Sequence, residues 1–281
     1  MKKKFTMTVA ALLLSAALPA APNALAQTAS KDAPASQAPA ARKQPQPKTQ
    51  AEYDAFKTAA ALQDPGQLEA AASDFAQRFT SSELRAYLFQ MAMGAYQNAG
   101  NTGKALEMAR AVVRYDPENA VALATAGQIL AERTHDDDLD RDDRLQEASA
   151  DAKSALLYSA SIPMPANMTP EQFAAAMAQL RGTAHEVQGT VFFKRADYFN
   201  AIKEYNAAVA EEKEHTDAVV YLRLAVANDK TNDLSGAQAN VDKALGTSET
   251  NSEVHQLAAQ EKDRLRKLAT VAQTAPATEK K

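Results

Sequence analysis

The chain has 281 residues, of which 31 are basic and 35 acidic, giving a formal net charge of −4, and it contains no cysteine. The missing thiols exclude disulfides, thiolate metal sites, a cysteine nucleophile and a cysteine-borne lipid anchor. The mildly acidic balance offers no basic face for nucleic acid.

Residues 1–26 read as a secretory signal peptide. Lys2, Lys3 and Lys4 form its positive start, and an apolar run follows from Val9 through Leu12, Leu13 and Leu14 to Leu18. Ala24-Leu25-Ala26 then offers a small-x-small cleavage site, with Gln27 as the first mature residue. The competing reading is an uncleaved anchor. Pro19 and Pro22 interrupt the run, which falls short of the ~20 apolar residues a spanning helix needs, so cleavage is favoured. Losing three lysines leaves a net charge of about −7. The expected location is periplasmic or secreted, with no integral span after cleavage.

Residues 27–50 carry Pro34, Pro39, Pro45 and Pro47 and no large apolar side chain. Such a stretch buries too little surface to offset its ordering entropy, so it reads as a disordered Pro/Ala-rich linker. Residues 269–281 have similar composition and read as a disordered tail. Between them, residues 51–268 show apolar residues at steps of three and four, and β-branched alternation never lasts. Breakers recur at Asp64-Pro65-Gly66, Gly100-Asn101, Asp116-Pro117, Pro163 to Pro165 and Thr231-Asn232-Asp233. The domain is therefore expected to be all-α, with helices mostly of about 12–16 residues.

The clearest internal unit is Ala86, Phe89, Ala92, Tyr96, Gly100, Ala105, Ala109, Val112 and Pro117. Small residues let two antiparallel helices approach, the aromatic fills the space between them, and the proline stops the second helix. The same register recurs at Ala59, Leu62, Gly66, Ala71 and Phe75, which pairs Ala71 with Ala105. It continues at Leu123, Ala126, Gly127 and Leu130, and its second half resumes late at Ala148, Ala152, Ala155 and Leu156. Further copies hold Gly189, Phe192, Ala196, Tyr198, Ala201, Tyr205 and Ala208, then Tyr221, Leu224, Ala225, Leu234, Ala237, Val241, Ala244 and Leu245. A final amphipathic helix, from Ser252 to about Leu268 with Leu257, Leu265 and Leu268 on its apolar side, reads as a terminal cap.

This pattern resembles the tetratricopeptide repeat (TPR) family. The resemblance implies a right-handed α-solenoid of about five helical hairpins plus a C-terminal capping helix. It also implies a concave groove, lined by the first helices, that holds a protein or peptide partner. By register, the groove residues are Tyr87, Gln90, Gln97 and Asn98, then Gln128 and Glu132, then Thr183, Glu186, Thr190 and Phe193, and finally Leu222, Val226 and Asp229. That set lacks the lysine and arginine clamp by which some repeats grip a carboxylate terminus, so that mode is disfavoured.

Two insertions break the period. The first runs from His135 to Asp143, where Asp136, Asp138, Asp140 and Glu147 have the spacing of a calcium loop. Arg141 stands where that loop needs glycine, and Asp143 where it needs an apolar anchor, so a solvated acidic loop is the favoured reading. The second runs from Ser161 to Met168, with Ile162, Met164 and Met168 expected to tuck against the solenoid. Thr169-Pro170-Glu171-Gln172 then opens a helix that either runs to about Arg195 or breaks near Gly182.

No catalytic pattern emerges. The four histidines, His135, His185, His215 and His255, lack metal-ligand spacing, and the nine glycines form no phosphate loop. No cofactor is implied. The functional expectation is a non-catalytic exported scaffold that binds a protein or peptide. An accessory subunit of a cell-envelope assembly machine and a calcium-responsive binding protein are the alternatives.

Overall fold

The computed structural model describes Arg42, Lys43 and residues 45–274. The expected signal, most of the linker and residues 275–281 lie outside them. The described residues hold eleven α-helices and no strand. Ten of the helices pair into hairpins: α1 (Gln50–Ala60) with α2 (Pro65–Arg78), α3 (Leu84–Asn98) with α4 (Thr102–Tyr115), α5 (Ala120–Arg133) with α6 (Arg141–Ser159), α7 (Pro170–Lys194) with α8 (Tyr198–Glu212), and α9 (Ala218–Lys230) with α10 (Leu234–Thr247). Helix α11 (Glu253–Thr274) packs on α10 and α9 at the open end.

Side-chain capping starts most of these helices. The carboxylate or amide oxygen of Asp64, Asn101, Asn119, Asp197, Asp217 and Asp233 each accepts an otherwise orphaned backbone N–H. Inside three hairpins the residue before the cap is left-handed: Gly100 at φ 70°, Ala196 at φ 58° and Asn232 at φ 62°. In all three the cap N–H then returns to a carbonyl five residues back, Asn101 to Tyr96, Asp197 to Phe192 and Asp233 to Asn228. The same turn is thus built three times, although only one copy carries glycine. Alanine in this region strains its Cβ. Ala196→Gly is therefore expected to stabilise the protein by roughly 0.5–1 kcal/mol, read as a raised midpoint in urea unfolding.

The cap also fixes which residues of the second helix face inward. Four, eight and eleven residues after it stand Ala105, Ala109 and Val112 in α4, Ala201, Tyr205 and Ala208 in α8, and Ala237, Val241 and Ala244 in α10, all buried. In α2 the same steps from Asp64 reach Leu68, Ala72 and Phe75, likewise buried. This corrects the pairing of Ala71 with Ala105. Ala71 is half-buried, and Leu68 takes that place because α2 begins early, at Pro65. The third hairpin departs from this register, with Leu145, Ala148, Ala152 and Ala155 fully buried in α6.

Helix α7 is unbroken for 25 residues, so Gly182 does not interrupt it. Thr169 and Gln172 form the reciprocal capping box at its start. In the preceding loop Met168 is buried and Ile162 half-buried, but Met164 is exposed and does not tuck in. At the cap, the apolar side differs from expectation. Ala258 and Leu265, seven residues apart, are the buried pair, whereas Leu257 and Leu268 face solvent. Ion pairs from Lys262 to Asp242 and from Arg264 to Asp229 complete the seam.

Each second helix packs on the next first helix. First helices also touch one another directly, α1 with α3, α5 with α7 and α9 with α11, while the described second helices show no comparable packing among themselves. Hairpins that meet on one side and splay on the other curve toward the meeting side. The first helices therefore line the inner face. Helix α5 shows the consequence: eleven of its 14 residues are buried. Gly127 allows that approach, since a Cβ there would stand 3.1 Å from the Ala148 carbonyl oxygen and 3.3 Å from Val187.

Candidate partner-binding groove

The inner face is held across three first helices by one arginine. Arg223 of α9 donates two hydrogen bonds to the Glu132 carboxylate of α5, at 2.8 and 2.9 Å. Its Nη1 also donates to the Thr190 hydroxyl of α7 at 3.0 Å. The buried Tyr205 of α8 donates its hydroxyl to the same Thr190 oxygen at 3.2 Å. Burial works against the guanidinium charge, yet the surrounding acidic groups, Glu132 foremost among the carboxylates, hold its pKa above the ordinary value. A planar fork matched to a carboxylate is the strongest side-chain pairing available, and here it joins the third hairpin to the fifth.

One turn before Thr190, Glu186 shares this environment without a full partner for its charge. Burial pushes its carboxyl up to about 8, and repulsion from Glu212 adds to the shift. Glu212, at the end of α8, is pushed up to about 7 by burial and by Asp217. Its side chain fills the space beside Gly182, where a Cβ would collide with Glu212 Cγ. A charge on Glu212 thus helps to hold the Glu186 proton.

Both carboxyls bind protons more tightly in the folded state than in the unfolded chain. Stability is therefore lost as pH rises from about 4.5 toward 8, and is level above that. Glu186→Gln keeps the shape and removes the charge. The variant is expected to match the parent near pH 5 and to exceed it by about 1–2 kcal/mol at pH 8.5, a Tm gain of roughly 2–8 °C. Thermal melts at the two pH values check this, and equal gains at both would count against burial as the cause.

The expected groove residues divide into three groups. Gln128, Thr183, Glu186, Leu222 and Val226 are half-buried on the inner helices, and Asn98 is exposed. Others serve the fold. Gln90 is buried and accepts from Asn119 at 3.1 Å, Thr190 is buried, and Glu132 holds Arg223. Phe193 packs edge-on against Tyr198, and Asp229 pairs with Arg264 of α11. The half-buried Tyr87 lies beside Asp116 and Arg42, and burial foremost raises its phenol pKa. Gln97 buries its Oε1 without a hydrogen-bond partner. Register reasoning missed Arg223 and Glu212. The only signal for Arg223 is a lone arginine within the apolar run Val219-Val220-Tyr221-Leu222-Arg223-Leu224.

The acidic insertion does not converge as a calcium loop. Asp136 pairs with Arg141 and Asp138 with Arg144, while Glu147 turns away to a two-pronged pair with Arg110 of α4. A backbone N–H from His135 and the Arg144 charge hold the Asp138 carboxyl below its usual value. Arg141 also donates to the Lys194 carbonyl, and Lys194 Nζ reaches the Thr134 carbonyl at 2.5 Å, so the loop is tied to α7. His185 is half-buried and bonded to Glu204 at 2.7 Å.

Hairpin pairing, repeated caps and a splayed outer layer define the class: an α-solenoid of five helical hairpins with a terminal helix. No family model and no curated protein matches the chain. Among solved structures it is similar to PilW, a widely conserved type IV pilus biogenesis factor, at 17% identity and a TM-score of 0.47 over 82% of this chain and 96% of that one. It is also similar to a thermophilic TPR protein in Thermus thermophilus, at 16% identity and a TM-score of 0.42 over 75% and 98%. A tetratricopeptide repeat protein from Parabacteroides merdae gives 14% identity and 0.35 over 82% and 95%. No described helix is long and apolar enough to cross a membrane.

Proposed function

We propose that this chain is an exported, non-catalytic scaffold that holds a protein or peptide partner along its inner face. One observation carries the reading: first helices pack on one another in pairs along the inner face, α1 with α3, α5 with α7 and α9 with α11, and the Arg223–Glu132 fork joins α9 to α5 across α7, with half-buried side chains on these helices. A rigid surface loses little freedom when a partner docks, which is how such a scaffold gains affinity. Export rests on the N-terminal pattern, and a mature chain starting at Gln27 in the extracytoplasmic fraction is the expected result. A chain starting at Met1 in the cytoplasm overturns that part.

Photocrosslinking residues placed singly at Asn98, Gln128 and Val226 test the groove in the native cell. Lys153 and Lys243, exposed on second helices, serve as controls. Inner positions are expected to trap the same protein and the controls none. Capture from the controls alone, or from no position, overturns the reading.

A further inference from the structure

The described residues just before α1 lie against the solenoid as a strap, where the sequence leads one to expect free linker. Lys48 Nζ donates to the Ser81 carbonyl, in the turn between the first and second hairpins, at 2.7 Å. Arg42 pairs with Asp116 at 2.5 Å and donates to the Glu118 carbonyl at 3.3 Å, in the turn between the second and third. The Arg42 backbone N–H donates to the Ser161 carbonyl at 3.1 Å, in the loop between the third and fourth. Three successive inter-hairpin turns are thus crossed in order.

The sequence suits that path. Pro45 and Pro47 are half-buried while Gln46 between them is exposed, so one side of the segment faces the turns. Proline presets φ and disposes the chain to an extended form, which lowers the entropy lost on docking. Six residues in that form reach roughly 19 Å, which matches two inter-hairpin steps of about 8–10 Å each. Its grip is weak. The described strap buries no large apolar side chain, and ion pairs at such exposure contribute little. What keeps it in place is its covalent link to α1, equivalent to a millimolar local concentration.

We propose that this edge of inter-hairpin turns is a docking site for an extended Pro-x-Pro segment bearing a flanking arginine on a protein partner, and that the strap from Arg42 to Lys48 occupies it in cis. Asp116 and Glu118 receive the arginine, and carbonyls of the turns receive the backbone and a lysine. The site lies on the inter-hairpin turns and meets the expected groove residues at Tyr87, beside Asp116 and Arg42.

The test uses the full chain and a labelled peptide of sequence Ala-Arg-Lys-Gln-Pro-Gln-Pro-Lys-Thr. Arg42→Glu sets a carboxylate against Asp116 and Glu118 and is expected to release the strap. Hydrogen exchange over 42–49 then rises at least tenfold while α3 to α6 stay protected. In fluorescence anisotropy the peptide binds Arg42→Glu at least tenfold more tightly than the parent chain, and adding Asp116→Lys abolishes that binding. Unchanged exchange over 42–49, equal peptide affinity for the two chains, no binding to Arg42→Glu, or binding that survives Asp116→Lys each overturns the proposal. Crosslinks from the inner groove are unaffected by any of these outcomes.

Discussion

Tyr205→Ala is expected to cost about 3–5 kcal/mol, the range for truncating a large buried aromatic. Tyr205 is among the largest fully buried side chains, and its ring packs against α7 at Gly189, where there is no side chain in the way. A Cβ at 189 would stand 2.6 Å from two ring carbons, closer than any real contact, so Gly189→Ala forces the ring to shift and is expected to cost about 1–3 kcal/mol. Tyr205→Phe isolates the hydroxyl. It removes the bond to Thr190 and is expected to cost about 1 kcal/mol. The diagnostic result is the combination of Gly189→Ala with Tyr205→Leu. Once the ring is gone the added methyl has room, so the double variant loses less than the sum of its parts. Urea unfolding of the parent, Gly189→Ala, Tyr205→Leu and the double variant measures this. Simple additivity would show that the glycine and the ring do not share one space.

The hairpins are legible in the sequence because their determinants are local. Once an Asx cap sets the start, helical geometry alone fixes the positions four, eight and eleven residues later as the inward-facing ones. Where the local signal is shared, the reading slips. Ala70, Ala71 and Ala72 are consecutive alanines, and only the early start of α2 at Pro65 puts Leu68 at the place of Ala105 and Ala72 at that of Ala109. Leu257 and Leu268 look like the natural core of α11, yet the small Ala258 is what lets α11 approach α10, and the leucines fall outside. The turn at Ala196 hides for a different reason: its left-handed geometry is imposed by the hydrogen bonds around it rather than by glycine, whereas Thr231-Asn232-Asp233 marks the matching turn in the sequence.

The groove is less legible because its chemistry is non-local. Register placed Glu132, Glu186 and Thr190 on inner helices, but no spacing rule connects Glu132 with a guanidinium 91 residues later. The raised carboxyls arise in the same way, from three elements meeting: α7 supplies Glu186, α8 supplies Glu212, and Asp217 caps α9. For the same reason the acidic insertion, which the sequence favours as a solvated loop despite its calcium-like spacing, shows only in three dimensions its pairs with Arg110, Arg141 and Arg144.

Arg223→Ala is expected to cost about 2–3 kcal/mol at pH 8, somewhat below a fully buried pair because the side chains keep partial contact with water. The loss is mostly the burden left behind: Glu132 keeps a charge without its fork, and Glu186 loses the cation that offset it. That burden depends on pH. At pH 5.5, below the values of about 8 and 7 for Glu186 and Glu212, both carboxyls hold protons, and the cost of Arg223→Ala is expected to fall by roughly 1 kcal/mol. A paired replacement, Glu132→Leu with Arg223→Met, removes both charges at once and is expected to be less destabilising than Arg223→Ala alone. Its effect on shape separates bracing from stability. The bond from α5 to α9 spans two hairpin steps, so its loss lets the inner face open even where the helices stay folded. Small-angle scattering is expected to show a larger radius of gyration for both Arg223→Ala and the apolar pair, with unchanged helicity. An unchanged radius in both would mean that hairpin packing alone sets the curvature, and the groove would then owe its form to glycines such as Gly127 and Gly189 rather than to this bridge.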